Sequence, residues 1–294
     1  MKLLLLSFFL SSMIIVGCNS TTESAESSPI AGTKKITKLD NKVDETSGLI
    51  SYENSFWTIN DSGDKPNLYR IDQTTGEVSQ IITLSNGINV DWEDMTQDDH
   101  FIYIGDTGNN HGSRTKFQIY KVAKSKISSL EDLTIEAEVI EFTYENQPSI
   151  LIAYAHDFDC EALTIINGKL TLFTKNWSSN NTDCYQIDDS GIAKKVASYG
   201  SEGLITGAHY NAPKNEVMMI GYQRSSKKEP FIFQIASFSK SSNIFRYNLP
   251  DLAGYQTESI CIVGEKIYIT NEANGSNNQS LFLVSLPATN KTSE

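Results

Sequence analysis

One pattern returns five times along this chain, and it constrains the fold more than any other feature. A polar residue, a small or variable one and an apolar one are followed by a turn and a strongly β-forming run that ends in polar residues. The copies open at Ser47, Glu93, Glu161, Thr206 and Glu258, spaced by 46, 68, 45 and 52 residues. Each is followed by a third β-rich run, among them Phe117–Val122, Phe231–Ile235 and Ser280–Val284. Fourth runs follow four of them, around 78–84, 135–144, 193–199 and 243–249. A four-stranded propeller blade takes about 40–50 residues, so the spacing predicts an all-β propeller of five blades. A sixth would need four more strands, and none is visible in the long second interval. That interval holds an insertion, Lys124 to Thr134, in which Ser128–Leu133 is expected to form a short helical turn. No fourth run follows the fifth copy, and Lys35–Leu39 is expected to supply it, closing the ring and removing its open edges.

This arrangement sorts the polar residues. Neighbouring strands of a blade are antiparallel, so the start of each inner strand and the end of each second strand lie at one face. Glu93, Glu161 and Glu258 open inner strands, with Ser47 and Thr206 in the equivalent place. Two residues earlier stand Glu45, Asp91 and Asp159; at the second-strand ends stand Asp61, Asp106, Lys175, Tyr222 with Arg224, and Glu272. Carboxylates gathered at a narrow mouth repel one another unless a cation, protons, Lys or Arg, or water offsets them. Two readings stand. Glu93, Glu161, Glu258, Asp61 and Asp106 hold Ca²⁺ or another hard divalent ion, for which oxygen donors suit, while Glu45, Asp91, Asp159, Lys175, Tyr222, Arg224 and Glu272 meet a ligand. Alternatively, each Glu or Ser stitches its strand to the backbone of the next blade. The segments Asn60–Asp64 and Asp106–Asn110 lack the spacing and terminal Glu of an EF-hand, and read as turns built from Asp, Asn and Gly.

The first residues carry a different message. Met1-Lys2 precedes an apolar run through Ile15 that is shorter than the roughly 20 residues needed to span a bilayer, and it ends in Ile15-Val16-Gly17-Cys18. One positive charge and a short apolar stretch is the layout of an export signal. The ending resembles the bacterial lipobox, which implies cleavage after residue 17 and lipid on Cys18. Residues 18–34, rich in Ser, Thr and Glu, are expected to form a flexible tether, residues 35–288 the propeller, and 289–294 a disordered tail. The residue after the Cys is Asn19 and not Asp, so outer-membrane residence is expected, with the membrane reached through the lipid. The net charge is −12, or −13 once Lys2, the one charged residue of the leader, is gone. An acidic surface of this kind argues against nucleic acid as a partner. Cys160 and Cys184 fall on the first and third strands of one blade, too far apart for a disulfide, so free buried thiols are expected.

The runs Ser47-Gly48-Leu49 … Trp57-Thr58-Ile59-Asn60-Asp61-Ser62-Gly63 and Asp91-Trp92-Glu93-Asp94-Met95 … Tyr103-Ile104-Gly105-Asp106-Thr107-Gly108-Asn109-Asn110 resemble a family of uncharacterised secreted bacterial propeller lipoproteins. More loosely the chain is similar to the SdiA-regulated and phytase-esterase-like propellers and to the gluconolactonase-like group. That resemblance implies a divalent ion on the channel; those groups are usually six-bladed, and the five copies here depart from that. Two functions follow as expectations. One is an envelope-anchored propeller that binds a polar ligand or partner protein at an acidic mouth. The other is a metal-assisted hydrolase of a phosphoester, lactone or glycan, with Glu93, Glu161 and Glu258 as metal ligands or base and Arg224 or Lys175 steadying negative charge. The chain carries no serine-hydrolase elbow, P-loop, zinc signature or dinucleotide fingerprint.

Overall fold

The computed structural model describes residues 28–127, 131–239 and 242–287. The leader, Cys18, most of the tether and the tail lie outside the described residues. Strand β1 (Gly32–Lys38) comes first and starts three residues ahead of the expected Lys35. Blade 1 is β2 (Thr46–Tyr52), β3 (Ser55–Asn60), β4 (Asn67–Ile71) and β5 (Val78–Leu84). Blade 2 is β6 (Trp92–Gln97), β7 (Phe101–Asp106), β8 (Phe117–Ala123) and, after a short β9 (Leu133–Ile135), β10 (Glu138–Tyr144). Blade 3 is β11 (Cys160–Ile166), β12 (Lys169–Thr174), β13 (Thr182–Ile187) and β14 (Ile192–Tyr199). Blade 4 is β15 (Leu204–Asn211), β16 (Glu216–Tyr222), β17 (Pro230–Ala236) and β18 (Asn243–Asn248). Blade 5 is β19 (Thr257–Val263), β20 (Lys266–Asn271) and β21 (Ser280–Ser285), completed by β1 pairing antiparallel with β21. The inner strands β2, β6, β11, β15 and β19 touch in that order and close back on β2. The chain is therefore a five-bladed propeller closed by its N-terminal strand.

The insertion departs from expectation. Lys124–Lys126 forms a single 3-10 turn, residues 128–130 lie outside the described residues, and Leu133 opens a strand in place of the expected helical turn. That strand, β9, pairs parallel with β5 of blade 1, and β10 pairs parallel with β14 of blade 3. The outer edges of blades 1, 2 and 3 are tied together in this way, and two exposed edges are covered.

Five buried apolar clusters hold the ring, one between each pair of neighbouring blades. Strand alternation explains why these strands read as continuous apolar runs. Successive side chains point to opposite faces, and in a propeller both faces of a blade are interfaces. On β7, Ile102 and Ile104 pack toward blade 1 while Tyr103 packs toward blade 3. On β16, Val217 and Met219 face blade 3, and Met218 and Ile220 face blade 5. Trp57 and Trp92 are fully buried between blades 1 and 2. Each such side chain contributes about 1.5–3 kcal/mol on burial. Cys160, Cys184 and Cys261 are buried and free.

At the axis the inner strands come closer than side chains allow. Gly48 has φ +61°, and a Cβ on it would lie 2.7 Å from the Met95 backbone nitrogen. Asp94 closes what space remains. Its Oδ1 accepts from Met95 N at 2.8 Å, and its Oδ2 accepts from Leu163 N of blade 3 at 2.8 Å and Ala208 N of blade 4 at 3.2 Å. One side chain thus joins three blades across the centre. Asp94→Ala would orphan three buried amides, and its expected cost is about 3 kcal/mol or more, measured as the shift in equilibrium urea unfolding. A loss under about 1 kcal/mol would show that the crossing is not a structural tie.

Candidate metal and ligand site

Every inner strand begins with a bulge. The register slips between Ser47 and Leu49, Trp92 and Asp94, Cys160 and Ala162, Ile205 and Gly207, and Thr257 and Ser259. The residues skipped are Gly48, Glu93, Glu161, Thr206 and Glu258. A bulge leaves one residue out of the ladder and re-aims its side chain, and here that device turns three glutamates away from the interblade cores.

The hydroxyls near these bulges do the stitching. Ser47 Oγ donates to the Glu93 carbonyl, Thr206 Oγ1 to the Thr257 carbonyl at 2.7 Å, and Thr107 Oγ1 to the Cys160 carbonyl at 2.8 Å. Each bond joins one blade to the next. The glutamates are left for other work. Carboxylate oxygens of Asp61, Asp91 and Glu93 lie within 4.8 Å of one another, and so do those of Glu93, Asp159 and Glu161. Glu93, shared by the two triads, is 3% exposed, and its Oε1 is buried without a hydrogen-bond partner among the described residues. Gly108 makes the room: a Cβ there would sit 2.1 Å from Glu93 Oε1 and 2.4 Å from Asp91 Oδ2. Asp159 is held rigidly, its Oδ1 accepting from Asn109 N at 2.6 Å and its Oδ2 from Trp177 Nε1 at 2.7 Å. An all-oxygen set with an orphaned buried oxygen at its centre fits a hard cation such as Ca²⁺.

Across the mouth, Lys175 Nζ donates to Glu161 Oε2 at 2.5 Å in a buried ion pair. Burial opposes the charge of this ammonium, but Glu161, Tyr222 and Glu258 outweigh it and hold Lys175 well above its ordinary pKa. Lys175, Glu161, Tyr222, Glu258, Glu272 and Asp61 line a polar cavity of about 210 Å³, with Asn110, Tyr154, Trp177, Lys228 and Gln256. A larger groove of about 1010 Å³ lies elsewhere, beside the ends of blades 2 and 3, and is lined by none of these residues. Burial, reinforced by the neighbouring carboxylates, raises Glu93 well above the usual carboxylate range. Burial raises Asp91 to about 7, reinforced by Asp61 and Asp159. Glu258 also reaches about 7, mainly through burial, with Lys175 opposing.

The sequence-derived residues divide. Glu93, Glu161 and Asp61 come together, joined by Asp91 and Asp159, which were expected to meet ligand. Glu258 belongs to neither triad and faces the cavity with Lys175, Tyr222 and Glu272. Asp106 is not among the clustered carboxylates: it pairs with Arg114 at 3.0 Å and accepts from Asp91 N at 3.0 Å, which fixes the loop carrying Gly108. Glu45 is exposed, and its part is to accept Asp61 N at its carbonyl. Arg224 sits on the exposed rim, 5.4 Å from the Trp177 ring, donating to the carbonyls of Trp177 and Tyr154. Cys18 lies outside the described residues. Tyr154, Lys228 and Gln256 were not anticipated. Gln256 holds the repeat position of Asp91 and Asp159, two residues before Glu258, and that register could have found it.

No known protein family and no curated protein matches the sequence. Solved structures of similar fold include a glutaminyl cyclase from Myxococcus xanthus, at TM-score 0.55 and 11% identity over 89% of this chain and 100% of that one. An exo-β-1,3-galactanase from Phanerochaete chrysosporium is similar at TM-score 0.57 and 10% identity, covering 86% of this chain and 64% of that one. A GH43 β-1,3-galactosidase follows at TM-score 0.51 and 10% identity, covering 87% and 94%. At such identities these likenesses establish the propeller fold and carry no chemistry.

The raised carboxyls make stability depend on pH. Asp91 and Glu258 titrate near 7 in the folded, ion-free chain and near 4 when unfolded. Between those values the native state binds more protons, so stability falls as pH rises through the window. The melting midpoint in EDTA is expected to drop from pH 5 to pH 8, and to drop less in Asp91→Asn. A flat profile would contradict the burial of these groups.

Proposed function

We propose that this chain is a divalent-cation-binding propeller that receives a polar ligand at the mouth of its central channel. We further propose that the leader exports it and that lipid on Cys18 holds it to the envelope, at the outer membrane. The observation that carries the cation is the buried, unpartnered Glu93 Oε1 standing between two carboxylate triads. Five carboxylates in that space, with Lys175 the one cation in an ion pair with them among the described residues, favour a doubly charged ion over water. The oxygen-only donors favour calcium, whose flexible coordination tolerates an irregular cage. Glu93, Asp91, Asp61 and Asp159 would hold it, with Glu161 shared between the ion and Lys175.

A second reading, metal-assisted hydrolysis, is favoured by Glu258. Its pKa near 7 matches a group that gives or takes a proton at neutral pH, and it lines the same cavity as Asp61 and Glu161 of the triads. The bound ion would polarise a substrate oxygen or its attacking water.

Calcium titration with thermal melting tests the first reading. A hundredfold excess over Kd contributes about 2.7 kcal/mol, which is roughly 5 °C or more for a chain of this size. EDTA is expected to reverse the rise, and Glu93→Gln to abolish it. A wild-type midpoint unmoved by calcium, magnesium or manganese would remove the cation from the proposal. For the second reading, turnover on a panel of phosphoesters, lactones and glycosides is expected to disappear in Glu258→Gln while calcium binding survives.

A further inference from the structure

The half of the mouth built by blades 3, 4 and 5 has a chemistry of its own. Its charged groups alternate and are linked by hydrogen bonds, one of them an ion pair and two of them through an amide. Lys175 bonds Glu161, and Lys228 donates to Gln256 Oε1, whose Nε2 donates to Glu272 Oε2 at 2.6 Å. Each ammonium already has one acceptor, and the carboxyls of Glu161, Glu258 and Glu272 outnumber Lys175 and Lys228 on this wall, so an anionic ligand would add to an excess of negative charge. What the wall does offer is adjacent donors and acceptors, which suits groups that donate and accept at once: hydroxyls. Glu258 supplies the open valence. It is 3% exposed, lines the cavity, and its Oε1 is buried without a partner.

Tyr154 forms the rim of the same cavity. It is 43% exposed and holds a left-handed backbone, φ +54°, a region non-glycine residues enter rarely and often at ligand sites. Its amide donates to the Asn110 carbonyl at 2.9 Å, and its ring stands edge-on to Trp177 at 5.2 Å and His111 at 5.3 Å. The surroundings keep an aromatic ring at the mouth in a backbone conformation that does not favour it. Trp177 is half-buried and offers less open ring, with Lys175 and Arg224 already over it at 5.1 and 5.4 Å. The volume, about 210 Å³, is below the roughly 300 Å³ at which pockets begin to take drug-sized molecules, and it admits one small ring.

We infer that this half of the mouth is a subsite for a single neutral sugar ring, with the apolar face of the ring on Tyr154, one hydroxyl donating to Glu258, and others bridging Lys175 and Gln256. The subsite rests on the reading of the mouth as a ligand-binding site and names the ligand's chemical class. Calorimetry on the full chain, with calcium and with EDTA, tests it. The neutral probes are glucose, galactose, mannose and xylose; sorbitol is the open-chain control, and glucuronate and inorganic phosphate are the anionic ones. At least one neutral pyranose is expected to bind, more tightly than sorbitol and than either anion. Glu258→Gln and Tyr154→Ala are each expected to weaken it by about tenfold or more, with melting midpoints showing both variants folded. The inference is overturned if no pyranose binds, if glucuronate or phosphate binds more tightly, or if both variants keep full affinity. A calcium-dependent midpoint shift without sugar binding defeats this subsite alone. Sugar binding without any calcium effect defeats the cation and leaves the subsite standing.

Discussion

Five inner strands converge on one axis, and regular pairing cannot continue where they meet. Each strand answers with a bulge at the same place, and the rest of the site follows from that. The bulge frees one residue per blade from the ladder. Where that residue is Gly48, backbones approach within a distance no side chain permits. Where it is Glu93, Glu161 or Glu258, a carboxylate is delivered to the mouth. Next to Glu93, Asp94 spans three blades. Burial keeps these carboxylates away from bulk water, and their raised proton affinities are the direct result.

Hydroxyls and carboxylates share the same repeat positions but not the same task. Ser47 and Thr206 join consecutive blades through short bonds to carbonyls. A carboxylate cannot make that bond, because ionised it only accepts and the groups on offer are acceptors. Glutamate at a bulge therefore has to find cations or protons, and Lys175 meets that need for Glu161 alone at close range. Gly108 is the complement: its missing side chain is the space in which Glu93 and Asp91 approach one another.

The blade count and closure were legible because a propeller strand buries both faces, so apolar runs such as Val217–Ile220 and Ile102–Ile104 stand out at a fixed spacing. The common face of Glu93, Glu161 and Asp61 followed from strand direction alone. Contacts set by the path of a loop or by a distant strand were not legible. Asp106 ends its strand much as Asn60 does, and nothing local announces that Arg114 returns to pair with it. Leu133–Ile135 carries no signal that its partner is β5. Tyr154 and Lys228 sit in loops without repeat register, and their place at the mouth depends on the path of those loops.

Closure by β1 has a consequence for how the molecule comes into being. Gly32–Lys38 finds its partner only in Ser280–Ser285, nearly the full length of the chain away. Loop-closure entropy and the dominance of distant contacts make such an encounter slow. Until that pairing forms, blade 5 lacks its outer strand and β21 keeps an open edge at the rim of the ring.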